Sequence, residues 1–334
     1  MNQLRKTLIL CLGLSMAQIS LGQDFHLSQY DAAPLNTNPA LTGMFEGKHR
    51  FHVHYRTQWA AVASKPFVTM QAAWDMRLSK RWGIGIQAMN YRAGSAAYNT
   101  AQILPSASYS IPLSRNKFHR LTLGVSAGAF HKTVDQNALT WGSQFESTAQ
   151  GGHFNNSLSS GENFTESSVL RPDFNAGAIY FFAAPGARIN PFIGGSAFHL
   201  SQPEESFLGS DNRLPMRYLL HAGARIGITE RLSLLPKVYW QRQENAQELT
   251  FSALAHYYLK GADVFLIGGL TYRNADAAII EFGAKWGGWE ARMSYDFNVS
   301  TLKPASNGRG ATELSLTYII FDKITNPIPT CPRL

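Results

Sequence analysis

The feature that most restricts what this sequence can become is a two-residue alternation of apolar and polar side chains that recurs along nearly its whole length. Leu121, Leu123, Val125, Ala127 and Ala129 alternate with Thr122, Gly124, Ser126 and Gly128. Tyr218, Leu220, Ala222, Ala224, Ile226 and Ile228 interleave with Arg217, His221, Gly223, Arg225 and Gly227. Further on, Trp289, Ala291, Met293, Tyr295, Phe297 and Val299 alternate with Glu290, Arg292, Ser294, Asp296 and Asn298. Successive side chains of a strand point to opposite faces, so each segment presents one apolar and one polar face. A soluble sandwich would alternate too, but its strands average ~5–6 residues, against the ~9–11 that cross a membrane. These segments have the longer measure. Their polar faces are rich in Gly, Ser, Thr and Arg, as a watery or plugged lumen requires, and their apolar faces often end in Trp, Tyr or Phe, as lipid-facing girdles do.

The expected fold is therefore all-β, an antiparallel transmembrane β-barrel of about fourteen strands. The first seven spans are 50–58, 66–77, 81–92, 98–111, 119–133, 171–183 and 190–201. The remaining seven are 214–228, 231–243, 246–259, 263–273, 275–287, 288–300 and 311–322. Even-numbered connections such as Leu78 to Lys80, Thr229 to Glu230 and Gly287-Gly288 are short, whereas Val134 to Leu170, Gln202 to Arg213 and Thr301 to Gly310 are long. Short periplasmic turns and long external loops are the rule in outer-membrane barrels. The outward connections around Glu244 and Asn274 are short exceptions. The mature chain has no run of eighteen apolar residues, which excludes helical spans.

The N-terminus has the parts of a secretory signal: Arg5 and Lys6, an apolar stretch from Thr7 to Ile19, then small residues at Ser20 and Gly22. Residues 1–22 are read as that signal, 23–49 as a periplasmic N-terminal segment, 50–322 as the barrel with 134–170 as a long external loop, and 323–334 as a periplasmic C-terminal tail. Once the signal and its Cys11 are removed, Cys331 is the sole cysteine, so no internal disulfide forms. Charged residues are 16% and aromatics 12% of the chain, a balance suited to a partly lipid solvent. The net charge of +8 comes without a basic helix or dense Lys/Arg cluster, and with secretion this excludes nucleic acid as a partner. The localisation that follows is the outer membrane, with its lipid as the surrounding partner.

Several stretches resemble the PorP/SprF family of type IX secretion and gliding-motility membrane proteins. Ser28-Gln29-Tyr30 followed by Asn38-Pro39-Ala40 and Gly43 is similar to that family's opening motif, and Tyr55-Arg56-Thr57-Gln58-Trp59 with Pro66 to its first-hairpin signature. Ser294-Tyr295-Asp296 with Ser300 resembles a late motif. Glu313-Leu314-Ser315-Leu316-Thr317-Tyr318 and the terminal Cys331-Pro332-Arg333-Leu334 resemble its ending, where Leu334 replaces the more usual Phe. The resemblance implies a barrel that assists export or surface anchoring of secreted proteins or adhesins. Its implied partners are type IX secretion components, a periplasmic peptidoglycan-binding protein, or the C-terminal domain of an adhesin or other cargo. The alternative is a porin or solute channel, distinguished by an open lumen.

No catalytic, metal or cofactor site is expected. Gly124-Val125-Ser126-Ala127-Gly128 has the spacing of a nucleophile elbow, but that chemistry needs a strand-to-helix turn, and here the serine sits inside an alternating segment. His49, His52 and His54 form a close set, yet Arg56 shares the face of the last two and would repel a cation. Hydrogen bonding in the lumen or at its rim is the expectation. Candidate lumen residues are Arg217, His221, Arg225, Glu290, Arg292 and Asp296, because Arg or Lys facing lipid at mid-bilayer costs ~2–4 kcal/mol. The loop 134–170 carries Trp141, Phe145, Phe154 and Phe164, enough apolar surface to cover the mouth or meet a partner; a mobile solvated loop is the other reading. In the tail, Pro327, Pro329 and Pro332 exclude another regular strand. Ile328, Cys331, Pro332, Arg333 and Leu334 are the candidate partner contacts there, with docking below the barrel or into its lumen as the two placements.

Overall fold

The structure, a computed structural model, describes residues 24–63, 65–94, 98–148, 151–209 and 212–321. The alternating segments become long antiparallel strands. The first five are β1 (His49–Gln58), β2 (Phe67–Arg77), β3 (Trp82–Ala93), β4 (Tyr98–Pro112) and β5 (His119–Thr133). Two short strands, β6 (Phe145–Thr148) and β7 (Gly151–Phe154), interrupt the long loop. The wall resumes with β8 (Ser168–Phe182), β9 (Ile189–Phe198), β10 (Arg217–Gly227), β11 (Leu232–Gln243) and β12 (Ala246–Leu259). It ends with β13 (Val264–Arg273), β14 (Ala277–Trp286), β15 (Trp289–Asn298) and β16 (Arg309–Ile320).

Fourteen of these strands pair each with its neighbour, and β1 pairs with β16 from His49↔Ile320 to Thr57↔Thr312, so the sheet is a closed barrel. Closure removes every edge, which is what allows a sheet to sit in lipid with all its backbone groups satisfied. The shortest wall strands have ten residues, enough to cross a bilayer when tilted. Among the described residues no helix is long and apolar enough to do so.

Two-residue periodicity sorts the faces. Tyr218 and Leu220 of β10 are outward and exposed, while Arg217, Leu219 and His221 between them are buried inside. Leu270 is 69% and Leu170 64% exposed, a placement that makes sense only where the surrounding solvent is hydrocarbon. Aromatic pairs mark both ends of this apolar band: Trp82–Tyr109, Tyr258–Phe265 and Trp289–Tyr318 at the short-turn end, Trp59–Phe67 and Tyr295–Phe297 at the other. One two-residue connection is Gly287-Gly288, where Trp286 pairs directly with Trp289. Gly287 there has φ +51°, the left-handed conformation that two-residue hairpin turns demand.

One expectation needs correction. The segment 23–49, placed outside the barrel in the periplasm, is packed inside it from Asp24 onward. Its Ser28, Gln29, Asn38 and Thr42 are at most 4% exposed and face side chains of the wall. The reason is chemical: the inner wall carries buried charges that need partners, and this segment supplies several of them. It enters at the long-loop end, where the Asp24 amide donates to Gln243, and reaches the short-turn end, where Lys48 donates to Ile320. Strand β16 ends beside His49 at that same short-turn end. Residues 1–22, expected to be a signal, and the tail residues Ile328, Cys331, Pro332, Arg333 and Leu334 lie outside the described residues.

Candidate functional site: a lumen filled by the N-terminal segment

The contacts between segment and wall form layers down the barrel. At the long-loop end, the Asp24 carboxylate lies 2.7 Å from His199 Nε2 and 3.5 Å from Arg217 Nε. His199 Nδ1 is 3.0 Å from Asp173, and its backbone amide donates to Asn175. Burial alone would discharge this imidazole, but the carboxylates of Asp24 and Asp173 outweigh it and push its pKa up to about 9. Burial likewise opposes the Asp24 charge, and His199 and Arg217 overcome that, holding its pKa well below the carboxylate range.

The next layer joins the segment to β1, β13, β15 and β16. The backbone amides of Ser28 and Gln29 donate to the two Glu313 oxygens at 2.6 and 2.8 Å. The Ser28 hydroxyl bonds Asp296 and accepts from Arg56 and Arg273. Arg56 also bonds Glu313, and His54 Nε2 lies 3.1 Å from that carboxylate. Asp296 points inward with Arg292, Ser294 and Asn298 on the polar face of β15, and beside it the register slips between Tyr295↔Thr312 and Phe297↔Arg309, a bulge in β16. The Gln29 amide closes the layer, donating to Ser294 and accepting from Ser315.

Asp31 is the centre of the third layer. Lys237 Nζ lies 2.6 Å from it, and Arg292 spans both its oxygens at 3.0 and 3.1 Å. Arg292 continues to Glu281 at 3.0 Å. Beside this cluster Tyr30 packs on Tyr239 with 4.5 Å between ring centres, and Lys237 lies over the Tyr30 ring.

Below it the segment runs against backbone. The Asn38 amide donates to the carbonyls of Ala178 and Gly195 and lies 3.2 Å from His221 Nε2, while its oxygen accepts from Ala40. This approach exists because the wall has glycines there. A Cβ on Gly124 would sit 2.2 Å from the Ala40 nitrogen, and one on Gly177 2.1 Å from Asn38 Oδ1. Glycine inside a strand commonly marks such a close approach. The second glycine-rich feature of the sequence, around Ser126, is thus a seat for the segment, and Ser126 accepts a hydrogen bond from Asn175. At the bottom Ala40 and Leu41 join Ile179, Phe181, Phe192, Leu235 and Leu254 in an apolar cluster. Gly43 donates to Asp75, which Arg50 grips through two nitrogens.

The six lumen residues expected from the sequence divide. Arg217, His221, Arg292 and Asp296 point inward and are at most 5% exposed. Glu290 is partly buried, 3.9 Å from Arg292. Arg225 is exposed at the short-turn end, lining a crevice with Glu230 and Arg231. Opposite charges of the wall pair with one another directly, Arg56 with Glu313 and Asp296, Arg273 with Asp296 and Arg292 with Glu281, while Asp31 of the segment joins the two cations Lys237 and Arg292. Sequence reasoning gave no role to Asp31, Lys237 or Arg273, and met Arg56 and Glu313 as motif residues without pairing them. The histidines hydrogen bond: His52 to Thr317 at 3.0 Å and His54 to Glu313. Among the described residues no group of three or more His, Cys, Asp or Glu could hold a metal ion.

Open space remains at both ends. A cavity of about 260 Å³ lies at the long-loop end, between the segment and β3 to β5, and the short-turn end has a crevice of about 320 Å³ beside Arg225 and Glu230 and one of about 20 Å³ beside Thr42 and Gly43.

A closed antiparallel barrel with a lipid-facing apolar exterior and an internally charged, occupied lumen defines an outer-membrane barrel protein. The chain belongs to the PorP/SprF family of type IX secretion system membrane proteins, whose pattern matches residues 19–318. No curated protein sequence matches it. Among solved structures it is similar to the monoaromatic hydrocarbon channel CymD, at 15% identity, covering 91% of this chain and 96% of that one, with a TM-score of 0.48. The Ralstonia pickettii toluene transporter TbuX is 10% identical, with 87% and 94% covered and a TM-score of 0.48. The porin KdgM is 6% identical, with 80% and 98% covered and a TM-score of 0.38. Likeness at this level says nothing of what passes through or docks on this barrel.

Proposed function

We propose that this protein is a plugged, non-conducting docking barrel of the type IX apparatus, assisting export or surface anchoring of a secreted adhesin or other cargo. The observation that carries the reading is the third layer of the lumen: Asp31 is 1% exposed at its side chain and holds Lys237 and Arg292 together. Removing one member of such a buried group costs about 3–5 kcal/mol, so the segment is a fixed part of the barrel and not a gate that swings with each solute. A barrel that conducts nothing contributes surfaces. The short-turn end, read as periplasmic, brings the chain at Phe321 toward the other secretion components. The partners proposed there are a peptidoglycan-binding protein and the C-terminal domain of the cargo, met by the tail from Ile328 to Leu334. The long-loop end is read as external.

Two measurements on one preparation test this. Purified full-length protein in planar bilayers should show near-zero single-channel conductance, and the channel reading gains if it conducts steadily. Deleting 325–334 should leave an inserted, heat-modifiable barrel that has lost co-purifying secretion components or cargo display. Normal retention of every partner and normal display by that truncated protein would remove the tail from the proposal.

A further inference from the structure

The blind cavity at the long-loop end has the chemistry of a receptor pocket. Its charges are already spent on one another. Lys132 bonds Glu205, and Asp24 is shared by His199 and Arg217. A charged ligand would have to break one of these largely buried pairs, so the cavity selects for neutral ones. Its walls supply aromatic faces: Phe25 and Tyr91 stack at 5.8 Å and 25°, and Tyr98 and Phe130 stand nearby. Between the rings are amides and a hydroxyl with bonding capacity to spare. Gln87 accepts from Gln71 through its oxygen and keeps its amide N–H groups, while Gln102 donates to Asp173 and keeps its carbonyl. The Asn36 amide and the Thr100 hydroxyl line the same space. A purely apolar ligand would bury these groups unpaired, each at a cost of about 1–3 kcal/mol.

Flat apolar faces alternating with mixed donors and acceptors, and no net charge, match a sugar ring. Its C–H face covers aromatic surface, and each of its hydroxyls both donates and accepts. The volume of about 260 Å³ lies just under the ~300–1,000 Å³ of pockets that take drug-sized molecules, which limits the occupant to a single ring or the end of a chain. We infer that this pocket binds a neutral saccharide unit, at the mouth of the barrel and beside the start of the lumen segment. The inference is independent of how the apparatus uses the barrel, and it concerns a site closed below Leu104, where Thr42 of the segment bonds Ser106 and Ser108 of the same strand.

The test is calorimetric titration of full-length protein in nanodiscs with methyl glucoside, methyl galactoside, glucuronate and N-acetylphenylalaninamide. At least one neutral glycoside should bind in the millimolar range, and glucuronate should bind more weakly. Thr100→Trp, which fills the cavity, should weaken binding by roughly tenfold or more. Tyr91→Ala, which removes one aromatic face, should do the same and decides the matter if the first variant does not insert. Arg225→Ala at the opposite end should change nothing. The assignment is overturned if no neutral glycoside binds, if the phenylalanine amide binds in their place, or if both pocket variants bind like the parent protein.

Discussion

Two aperiodic stretches of this chain have opposite fates. The segment from Asp24 to Lys48 and the loop between β5 and β8 both lack strand alternation over most of their length, and both are rich in Asn, Ser and Gly or other turn formers. The first is buried in the lumen, while the second is largely exposed and carries its own hairpin, β6 and β7, with Phe145 against Phe154 at 5.2 Å. The difference lies in where their polar groups find partners. Ser28, Gln29, Asp31 and Asn38 bond residues more than a hundred positions away. The loop bonds mainly itself, through Ser143 to Ser160, Gln144 to Leu158 and Asn155 to Glu146. Burial of an irregular stretch thus depends on a matching set of fixed charges and carbonyls in the wall, and length has little to do with it.

The sharpest way to break this contrast is Asp31→Ala. It leaves Lys237 and Arg292 without their shared carboxylate and should cost about 3–5 kcal/mol in reversible unfolding from detergent. A loss below about 1 kcal/mol would mean that these cations find water or Glu281 instead, and that the segment is only loosely held. Gly124→Val should come next. The new side chain meets the Pro39–Ala40 backbone and should cost about 1–3 kcal/mol, with faster proteolysis of the segment as the companion readout. Wild-type rates in that variant would show that the seat is not tight.

A smaller effect is expected from pH at the long-loop end. The folded pKa of His199 is raised, so its contribution is complete below 6.5 and lost as pH rises through about 9. The folded pKa of Asp24 is lowered, so its contribution is complete above 3.8 and lost as pH falls below that. Arg217, Lys132, Asp173 and Glu205 also surround this contact and are the charges that would respond to it. Hydrogen exchange at Phe25 and His26, corrected for its intrinsic pH dependence, should accelerate above pH 9 while Gln29 and Gly43 stay protected. Uniform acceleration along the segment would count against a local latch. The smallest effect belongs to the loop: deleting 143–160 should change stability by no more than about 0.5 kcal/mol. A large loss would erase the distinction between the two stretches.

The wall was legible because its signal is periodic. All fourteen spans expected from alternation coincide with wall strands to within a few residues, and the short connections fall where the pairs demand them. Lumen charges were legible for the same reason, since Arg217, His221, Arg292 and Asp296 stand on the polar side of a two-residue pattern. Arg225 shares that side but lies past the point where the wall is covered. The occupant of the lumen was not legible, because bonds such as Ser28 to Glu313 link positions far apart and leave no spacing behind. A usable trace existed in Gly83, Gly124 and Gly177. Each stands on an inner face where a side chain would collide with the segment, and glycine there is costly without a reason. Inner apolar residues such as Leu219 and Leu235 were hidden by the assumption that a lumen is polar throughout.

The carboxylate of Glu313 ties the two ends of the chain together. The chain from Asp24 to Lys48 fills the lumen beside the seam between β1 and β16. Glu313 belongs to the last strand made, and it can be satisfied only by the amides of Ser28 and Gln29 from near the start, with Arg56 and His54. Seating and seam are therefore one event energetically: without the segment's amides, Glu313 on the closing strand keeps a buried charge short of two of its hydrogen bonds.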